Sequence, residues 1–179
     1  MFKKIRDLLS RSDKQKNLET LFWAITPKKI EKDPVDIDVY FQEIIQRQDA
    51  GGVEEALPLL ANSEKNDEFI GILHKLILAH WHSRHEDIIH DLQRRKNSAS
   101  IPYIKQAIQT KYEYLESYGG TRQFINQCGH ALASIGNEEA IELIKELVKS
   151  NDPILKDEML YRISKIENRN DYKRNYDLD

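Results

Sequence analysis

A spacing of forty residues recurs in the second half of the chain. When the residues from Ile88 onward are laid over those from Cys128 onward, apolar positions coincide. The coinciding pairs are Ile88 and Cys128, Leu92 and Leu132, Ile101 and Ile141, Ile104 and Ile144, Ala107 and Leu147, and Ile108 and Val148. A period of about 40 residues that covers two helices is typical of a solenoid, in which each helix pair buries its apolar face against its neighbours. The repeat therefore predicts an all-α fold, an α-solenoid of antiparallel helix pairs.

The composition agrees with a helical domain. Charged residues make up 32% of the 179 residues, whereas glycine and proline together number only twelve. This length is sufficient for one domain with a substantial core. No segment shows the alternation of apolar and polar residues that marks a strand. We expect nine or ten helices and no sheet.

Proline and polar segments divide the chain into three parts. Residues 1–36 are predicted to form N-terminal helices followed by a linker that contains Pro27 and Pro34. Residues 37–167 carry the helical repeats, and residues 168–179 form a polar C-terminal tail. The chain starts with basic residues, but no apolar core of a signal peptide follows them. No segment has the roughly 20 apolar residues needed to cross a bilayer, so we expect a cytoplasmic protein without membrane contact.

Several helix boundaries can be predicted from capping residues. A helix over about 67–81 is apolar on nearly every side, which indicates a buried element at the centre of the fold. Ser83 and Glu86 have the spacing of a capping box that would open the next helix. Longer helices are expected over about 101–116 and 121–135, and Gly136, Asn137 and Asp152 have the chemistry of helix caps.

Two segments of the chain resemble bacterial HEAT-repeat proteins. One is His80–Gln93, which contains the run Trp-His-x-x-His-Glu-Asp, and the other is Ala131–Ile141, in which Ile-Gly ends a helix before an acidic Ala-Ile run. The resemblance covers about residues 53–167 and lacks the regular Asp/Arg ladder of long HEAT arrays. It implies a HEAT-like solenoid, and the first segment is similar to small bacterial HEAT-like proteins that include immunity proteins of polymorphic or contact-dependent toxin systems. The HEAT scaffold also carries adaptors, lyases and DNA-repair enzymes, so the likeness to the fold does not fix the function.

Histidines cluster before and within one predicted helix. Five of the six fall within seventeen residues: His74, His80, His82, His85 and His90. The zinc-protease motif needs two histidines four positions apart on one helix, and the predicted cap at Ser83 separates His82 from His85 and His90. We therefore predict neither a metal nor a cofactor. His82 and His85 are expected to form hydrogen bonds between helices or to contact a partner, and His90 to be solvated.

Three tyrosines crowd the end of the helix predicted over 101–116. They are Tyr112, Tyr114 and Tyr118, and they are candidate partner-binding residues because tyrosine combines a large contact area with a polar tip. Packing in the core is the alternative for each of them. Tyr112 and Tyr114 point to different faces of a helix, so at most one of them can be a core residue.

Charge is distributed unevenly along the chain. Residues 1–32 hold nine Lys/Arg and four Asp/Glu, whereas residues 33–68 hold two Lys/Arg and ten Asp/Glu. The acidic block attracts a cationic partner and disfavours DNA and RNA, whose binding requires clustered Lys/Arg. Solvated helix faces are the alternative interpretation. The candidate partner-binding acids are Asp36, Asp38, Glu43, Glu54 and Glu55.

No catalytic motif stands out, so we expect a protein that is not an enzyme. The single cysteine, Cys128, lies among apolar residues and is predicted to be a core residue. The leading hypothesis is an immunity-type inhibitor, a monomer that neutralises a basic toxin domain by forming a stoichiometric heterodimer. A HEAT-like scaffold or adaptor for other proteins is the alternative. A HEAT-fold enzyme acting on nucleic acid or a tetrapyrrole is a third possibility.

Overall fold

The computed structural model describes residues 34–61 and 69–176, and side chains within 37–60 and 69–168. Nine α-helices and one 3-10 turn make up this part of the chain, which contains no strand, so the all-α prediction is confirmed for it. The helices are α1 (Pro34–Arg47), α2 (Ala50–Ala61), α3 (Ile70–Ile77), α4 (His85–Arg95), α5 (Ile101–Gln109), α6 (Glu113–Tyr118), α7 (Thr121–Ile135), α8 (Glu138–Leu147) and α9 (Pro153–Tyr176), and the 3-10 turn is Ser98–Ser100. The helices predicted before Pro34 lie outside the described residues. None of the described helices combines the length and apolar character required to cross a membrane.

One continuous apolar core runs through the helices from α1 to α9. Its largest fully buried side chains are Phe41, Leu60, Phe69, Leu73, Leu76, Ile77, Ile88, Ile89, Leu92, Ile104, Leu115 and Phe124. Helix α3 provides three of these, Leu73, Leu76 and Ile77, and Phe69 immediately precedes the helix. The prediction that this apolar segment lies at the centre of the fold is therefore confirmed, although the helix is shorter than the predicted span of 67–81.

Residues that coincide in the forty-residue repeat pack in the core, and the helices that carry them contact one another. Ile88 and its counterpart Cys128 are fully buried, as are Leu92 and Leu132. Helix α4 packs against α7, which occupies the equivalent place in the next repeat, and α5 likewise packs against its counterpart α8. The apolar spacing therefore marks positions that face the core in both segments, although Ile141 and Val148 are half-buried where Ile101 and Ile108 are buried.

Capping chemistry determines several helix ends. The Asn137 side chain accepts a hydrogen bond from the Ala140 amide, and Asp152 accepts from the amides of Ile154 and Leu155, so both predicted N-caps are confirmed. Gly136 has a φ of 67° at the end of α7, a left-handed conformation that glycine adopts without steric cost. Each of these three helix ends is formed by residues that are adjacent in the sequence.

Three other predicted boundaries were wrong. The glycine pair at Gly51 and Gly52 predicts a helix end, but α1 already ends at Arg47 and Gly52 lies in the first turn of α2, where its amide donates to the Asp49 carboxylate at 3.0 Å. A Cβ at Gly52 would come within 3.0 Å of the Ile44 side chain, so a glycine allows α1 and α2 to meet closely. The last helix continues to Tyr176 instead of ending near Glu167. The helix predicted over 101–116 is two helices, because the backbone is extended at Thr110 and Tyr112.

The central position of α3 leads to a stability prediction. Replacing Leu76 by alanine should lower the free energy of unfolding by about 2–5 kcal/mol, because the side chain is fully buried and leaves a cavity. Urea denaturation measures this change. The control is Leu160→Ala at an exposed position of α9, which should cost under about 1 kcal/mol. Similar losses at the two positions would contradict the central role of α3.

Candidate functional site

The two histidines predicted to contact either a helix or a partner are buried between helices. His82 lies in the connection between α3 and α4, and its Nε2 is 2.9 Å from the Leu76 carbonyl oxygen. A carbonyl can only accept a hydrogen bond, so Nε2 carries the proton. The other ring nitrogen, Nδ1, accepts a hydrogen bond from the Arg84 amide at 3.1 Å. Both nitrogens of His82 are therefore occupied by the fold, and the ring is neutral.

His85, the first residue of α4, is held in the same way. Its Nε2 donates to the Ala79 carbonyl oxygen at 2.7 Å, which leaves Nδ1 to accept from the Tyr114 hydroxyl at 3.0 Å. The His82 and His85 rings are stacked with their centroids 4.4 Å apart. The prediction that these histidines form hydrogen bonds between elements of the fold is confirmed. Neither offers an exposed surface to a partner in this structure.

Tyr112 completes this arrangement from the other side. Its side chain is only 3% exposed, and its hydroxyl donates to the Ile77 carbonyl oxygen at 2.6 Å. The Tyr112 ring centroid lies 3.8 Å from that of His85. Tyr112 is therefore a core residue, and its place among the partner-binding candidates does not fit this structure. The break between α5 and α6 is what turns the side chain inward.

The C-terminal end of α3 explains why these three side chains converge. The last carbonyls of a helix have no partner within the helix, and burial makes an unpaired carbonyl costly. Here the carbonyl oxygens of Leu76, Ile77 and Ala79 accept hydrogen bonds from His82, Tyr112 and His85 respectively. We call this set of donors and acceptors the α3 cap.

Burial keeps the α3 cap uncharged. Desolvation, together with the smaller effect of the neighbouring His82 ring, lowers the pKa of His85 to about 3, against the opposing effect of the Ala79 hydrogen bond. Desolvation also lowers the pKa of His82. Both rings therefore remain neutral near pH 7, as their hydrogen bonds require.

The predicted capping box at Ser83 and Glu86 was wrong. Arg84 is the residue that precedes α4, and no side chain caps its first turn. Ser83 is exposed, and the Glu86 carboxylate instead accepts a hydrogen bond from the Tyr118 hydroxyl at 2.7 Å. Glu86 therefore connects α4 to α6 instead of capping its own helix.

The other two candidate tyrosines reach the surface to different extents. Tyr114 is half-buried with its hydroxyl held by His85, whereas Tyr118 is 57% exposed. Their ring centroids are 6.1 Å apart. Tyr118 is thus the candidate tyrosine that presents the most surface to a partner.

The candidate acids on α1 and α2 lie on the solvent side of these helices. Asp38, Glu43, Glu54 and Glu55 are exposed, while the side chain of the fifth candidate, Asp36, lies outside the described residues. Glu43 is 3.9 Å from Arg47, and Glu54 forms an ion pair with Arg84. Asp38 and Glu55 form no ion pair in the described structure.

An open pocket of about 600 Å³ lies beside the α3 cap, between the α3–α4 connection and the start of α6. His80, Trp81, Tyr112 and Tyr114 contribute aromatic surface, and the charged groups at the pocket are Lys111 and Glu113. We call it the aromatic pocket. Sequence reasoning missed Trp81 and Glu113, although Trp81 adjoins the histidine cluster and Glu113 lies between two candidate tyrosines.

Histidine, cysteine, aspartate and glutamate side chains are the usual metal ligands in proteins. Within the described residues, no three such side chains are grouped closely enough to hold an ion. His90 is exposed, and Cys128 is fully buried, with its thiol pKa raised by desolvation. A further buried contact that the sequence did not reveal joins His74 to Ser100, 2.9 Å apart, while the His74 ring stacks on Tyr103. This contact fastens α3 to the 3-10 turn.

No protein-family model, curated protein or solved structure matches the chain.

The Tyr112 hydroxyl provides a test of the α3 cap. Tyr112→Phe keeps the ring but leaves the Ile77 carbonyl unpaired, and should lower the free energy of unfolding by about 1–3 kcal/mol. Tyr118→Phe removes a hydroxyl at an exposed position and should cost under about 0.5 kcal/mol. Chemical denaturation of both variants makes the comparison. Equal effects would mean that the buried hydroxyl does not support the end of α3.

The neutral state of His85 predicts how stability depends on pH. The unfolded chain binds a proton at this residue below its ordinary pKa of 6.5, whereas the folded protein does so only near its lowered pKa of about 3. Stability should therefore be lost as the pH falls from about 6.5 toward 3, by up to about 1.4 kcal/mol per pH unit for each such histidine. Urea denaturation between pH 7 and pH 4 measures this slope.

His85→Gln should make that slope shallower, because glutamine does not titrate. The matched control is His90→Gln at an exposed position of α4, which should leave the slope unchanged. An identical slope for wild type and His85→Gln would show that another group governs the loss of stability in acid.

Proposed function

We propose that this chain is a protein-binding module that captures a cationic protein through the carboxylates of α1 and α2. The observation that carries the proposal is the exposed acidic surface of these helices. Residues 37–60 contain five acidic residues and a single basic one, Arg47. The apolar faces of the same helices are anchored in the core by side chains such as Phe41 and Leu60. A rigid surface of one charge sign attracts an oppositely charged protein and accelerates its approach.

The finer version of the proposal is a HEAT-like solenoid that acts as an immunity-type inhibitor. Two observations support the solenoid: equivalent residues of the forty-residue repeat are buried, and the equivalent helices α4 and α7 pack together. The resemblance of His80–Gln93 to small HEAT-like immunity proteins supports the inhibitor. In this interpretation the acidic surface covers a basic toxin domain in a one-to-one complex.

The histidine geometry supports binding over catalysis. His82 and His85 belong to the histidine cluster, and histidine is the side chain that most often acts as a general acid or base in enzymes. All four of their ring nitrogens form hydrogen bonds within the protein. A catalytic histidine must have a nitrogen within reach of the substrate. These two residues act instead as structural donors and acceptors that stabilise the surface above them.

The proposed function predicts how charge reversal changes association. The test partner is the protein encoded beside the gene for this chain, expressed with it in cells and then purified. Co-expression should restore growth that the partner alone inhibits. Asp38→Lys combined with Glu55→Lys should lower the association rate constant about tenfold at low salt and flatten its dependence on salt, because steering acts on encounter. Surface plasmon resonance at several salt concentrations measures both quantities.

The matched control is Glu139→Lys combined with Glu167→Lys. These residues are also exposed acids that form no ion pair in the described structure, and they lie on α8 and α9. Circular dichroism should show the same helicity for both double variants, because isolated surface charges contribute under about 1 kcal/mol each. Equal effects of the two pairs would contradict the proposed acidic surface. A partner that binds without inhibiting growth would favour the scaffold or adaptor.

A further inference from the structure

The aromatic pocket differs from the acidic surface in the chemistry it offers. Tyr112, Tyr114, Trp81 and His80 contribute flat rings, and a volume of about 600 Å³ lies within the range of small-ligand sites. Tyr112 is buried, whereas Trp81 is half-buried and His80 is exposed. The pocket is therefore bordered by a buried ring, a half-buried ring and an exposed ring.

The hydrogen bonds of the α3 cap determine what these rings present. The hydroxyls of Tyr112 and Tyr114 already donate to Ile77 and to His85, so neither is available as a donor to a ligand. His82, which also borders the pocket, uses both of its nitrogens within the protein. These three residues therefore offer a ligand ring surface and no free donor, and the face of an aromatic ring attracts cations.

The charges around the opening add to this preference. Glu113 borders the pocket, and Asp49 immediately precedes Ala50, which also borders it. Lys111 opposes them at the opening, but its side chain is exposed and no ion pair fixes it in the described structure. Arg84, the next basic residue in the vicinity, is neutralised by Glu54 and Asp87. The surroundings therefore complement a positive group.

We propose that the aromatic pocket holds one arginine side chain of the cationic protein partner. A guanidinium is planar, stacks on aromatic rings and retains donors at its edge for a carboxylate such as that of Glu113. The inference rests on the proposed function for the identity of the partner, and it adds a specific anchor to a surface that otherwise attracts by charge. A buried arginine is a frequent source of binding energy at protein interfaces.

The first experiment uses small probes, so it does not depend on the partner. Acetyl-Gly-Arg-Gly-amide is titrated into the full chain at constant ionic strength, with acetyl-Gly-Leu-Gly-amide and acetyl-Gly-Glu-Gly-amide as comparisons. Trp23→Phe leaves Trp81 as the sole tryptophan, and NMR follows its indole N–H. We expect a saturable shift with the arginine peptide alone. Absence of saturation, or equal binding of the leucine peptide, would overturn the proposal.

Variants of the pocket residues test the same binding through their affinity for the arginine peptide. Because one variant lacks Trp81, NMR follows the backbone amide of Ser83 instead of the Trp81 indole. Glu113→Gln should weaken binding of the arginine peptide about threefold, and Lys111→Ala should strengthen it by about the same factor. Trp81→Ala should weaken it about fivefold through loss of ring surface. Glu113 is exposed, so its variant provides a test even if Trp81→Ala destabilises the fold. Tyr118→Ala, outside the pocket, should have no effect. Equal affinities for Glu113→Gln and Lys111→Ala would contradict an ionic role for the opening.

The second experiment uses the purified partner and separates this inference from the proposed function. Glu113→Gln should raise the dissociation rate constant about threefold and Trp81→Ala about fivefold, while the salt dependence of association stays unchanged. If these variants bind normally but Asp38→Lys with Glu55→Lys slows association, the anchor is wrong and the acidic surface stands. If the arginine peptide binds the pocket but charge reversal has no effect on the partner, the pocket stands and the proposed acidic surface is wrong.

Discussion

The hydrogen bonding of the carbonyls at the end of α3 is the constraint on which the rest of the structure depends. Helix α3 is apolar enough to occupy the centre of the core, but its C-terminal carbonyls then lie where water cannot satisfy them. His82, His85 and Tyr112 donate hydrogen bonds to the carbonyls of this region from two other segments of the chain. The donors come from the α3–α4 connection, from His85 at the start of α4 and from the interruption between α5 and α6. One local requirement therefore couples elements that are distant in sequence.

The same requirement shapes the surface. A histidine that donates through Nε2 and accepts through Nδ1 must be neutral, and its neutrality keeps positive charge out of the region beside the aromatic pocket. The Tyr114 hydroxyl is held by His85, which orients the ring without a charged group. Residues that support the fold thus determine which chemistry the neighbouring surface can bind. This explains how buried His82 and His85 can matter for recognition without any contact to a partner.

The sequence predicted those features that depend on adjacent residues. The caps at Asn137 and Asp152 involve partners within three residues, and the buried core of α3 follows from its own composition. The break before Tyr112 escaped prediction, and the Tyr112 hydroxyl there bonds to a carbonyl 35 residues earlier. Glu86 likewise pairs with a tyrosine 32 residues later, which removes it from the predicted capping box. For the candidate site, the exposed acids followed from local helical pattern, whereas the aromatic pocket depends on tertiary contacts that spacing alone does not encode.

The proposed surface and pocket divide recognition into two physical tasks. Exposed carboxylates act over about a Debye length, so they affect how often a partner arrives and in which orientation, but solvent screens each of them once contact is made. A pocket of aromatic rings acts only at contact, where the loss of water strengthens the attraction between a cation and a ring. Charge on α1 and α2 without the pocket would favour cationic proteins as a class. The anchor adds the dependence on shape and position that turns attraction into selection of one partner.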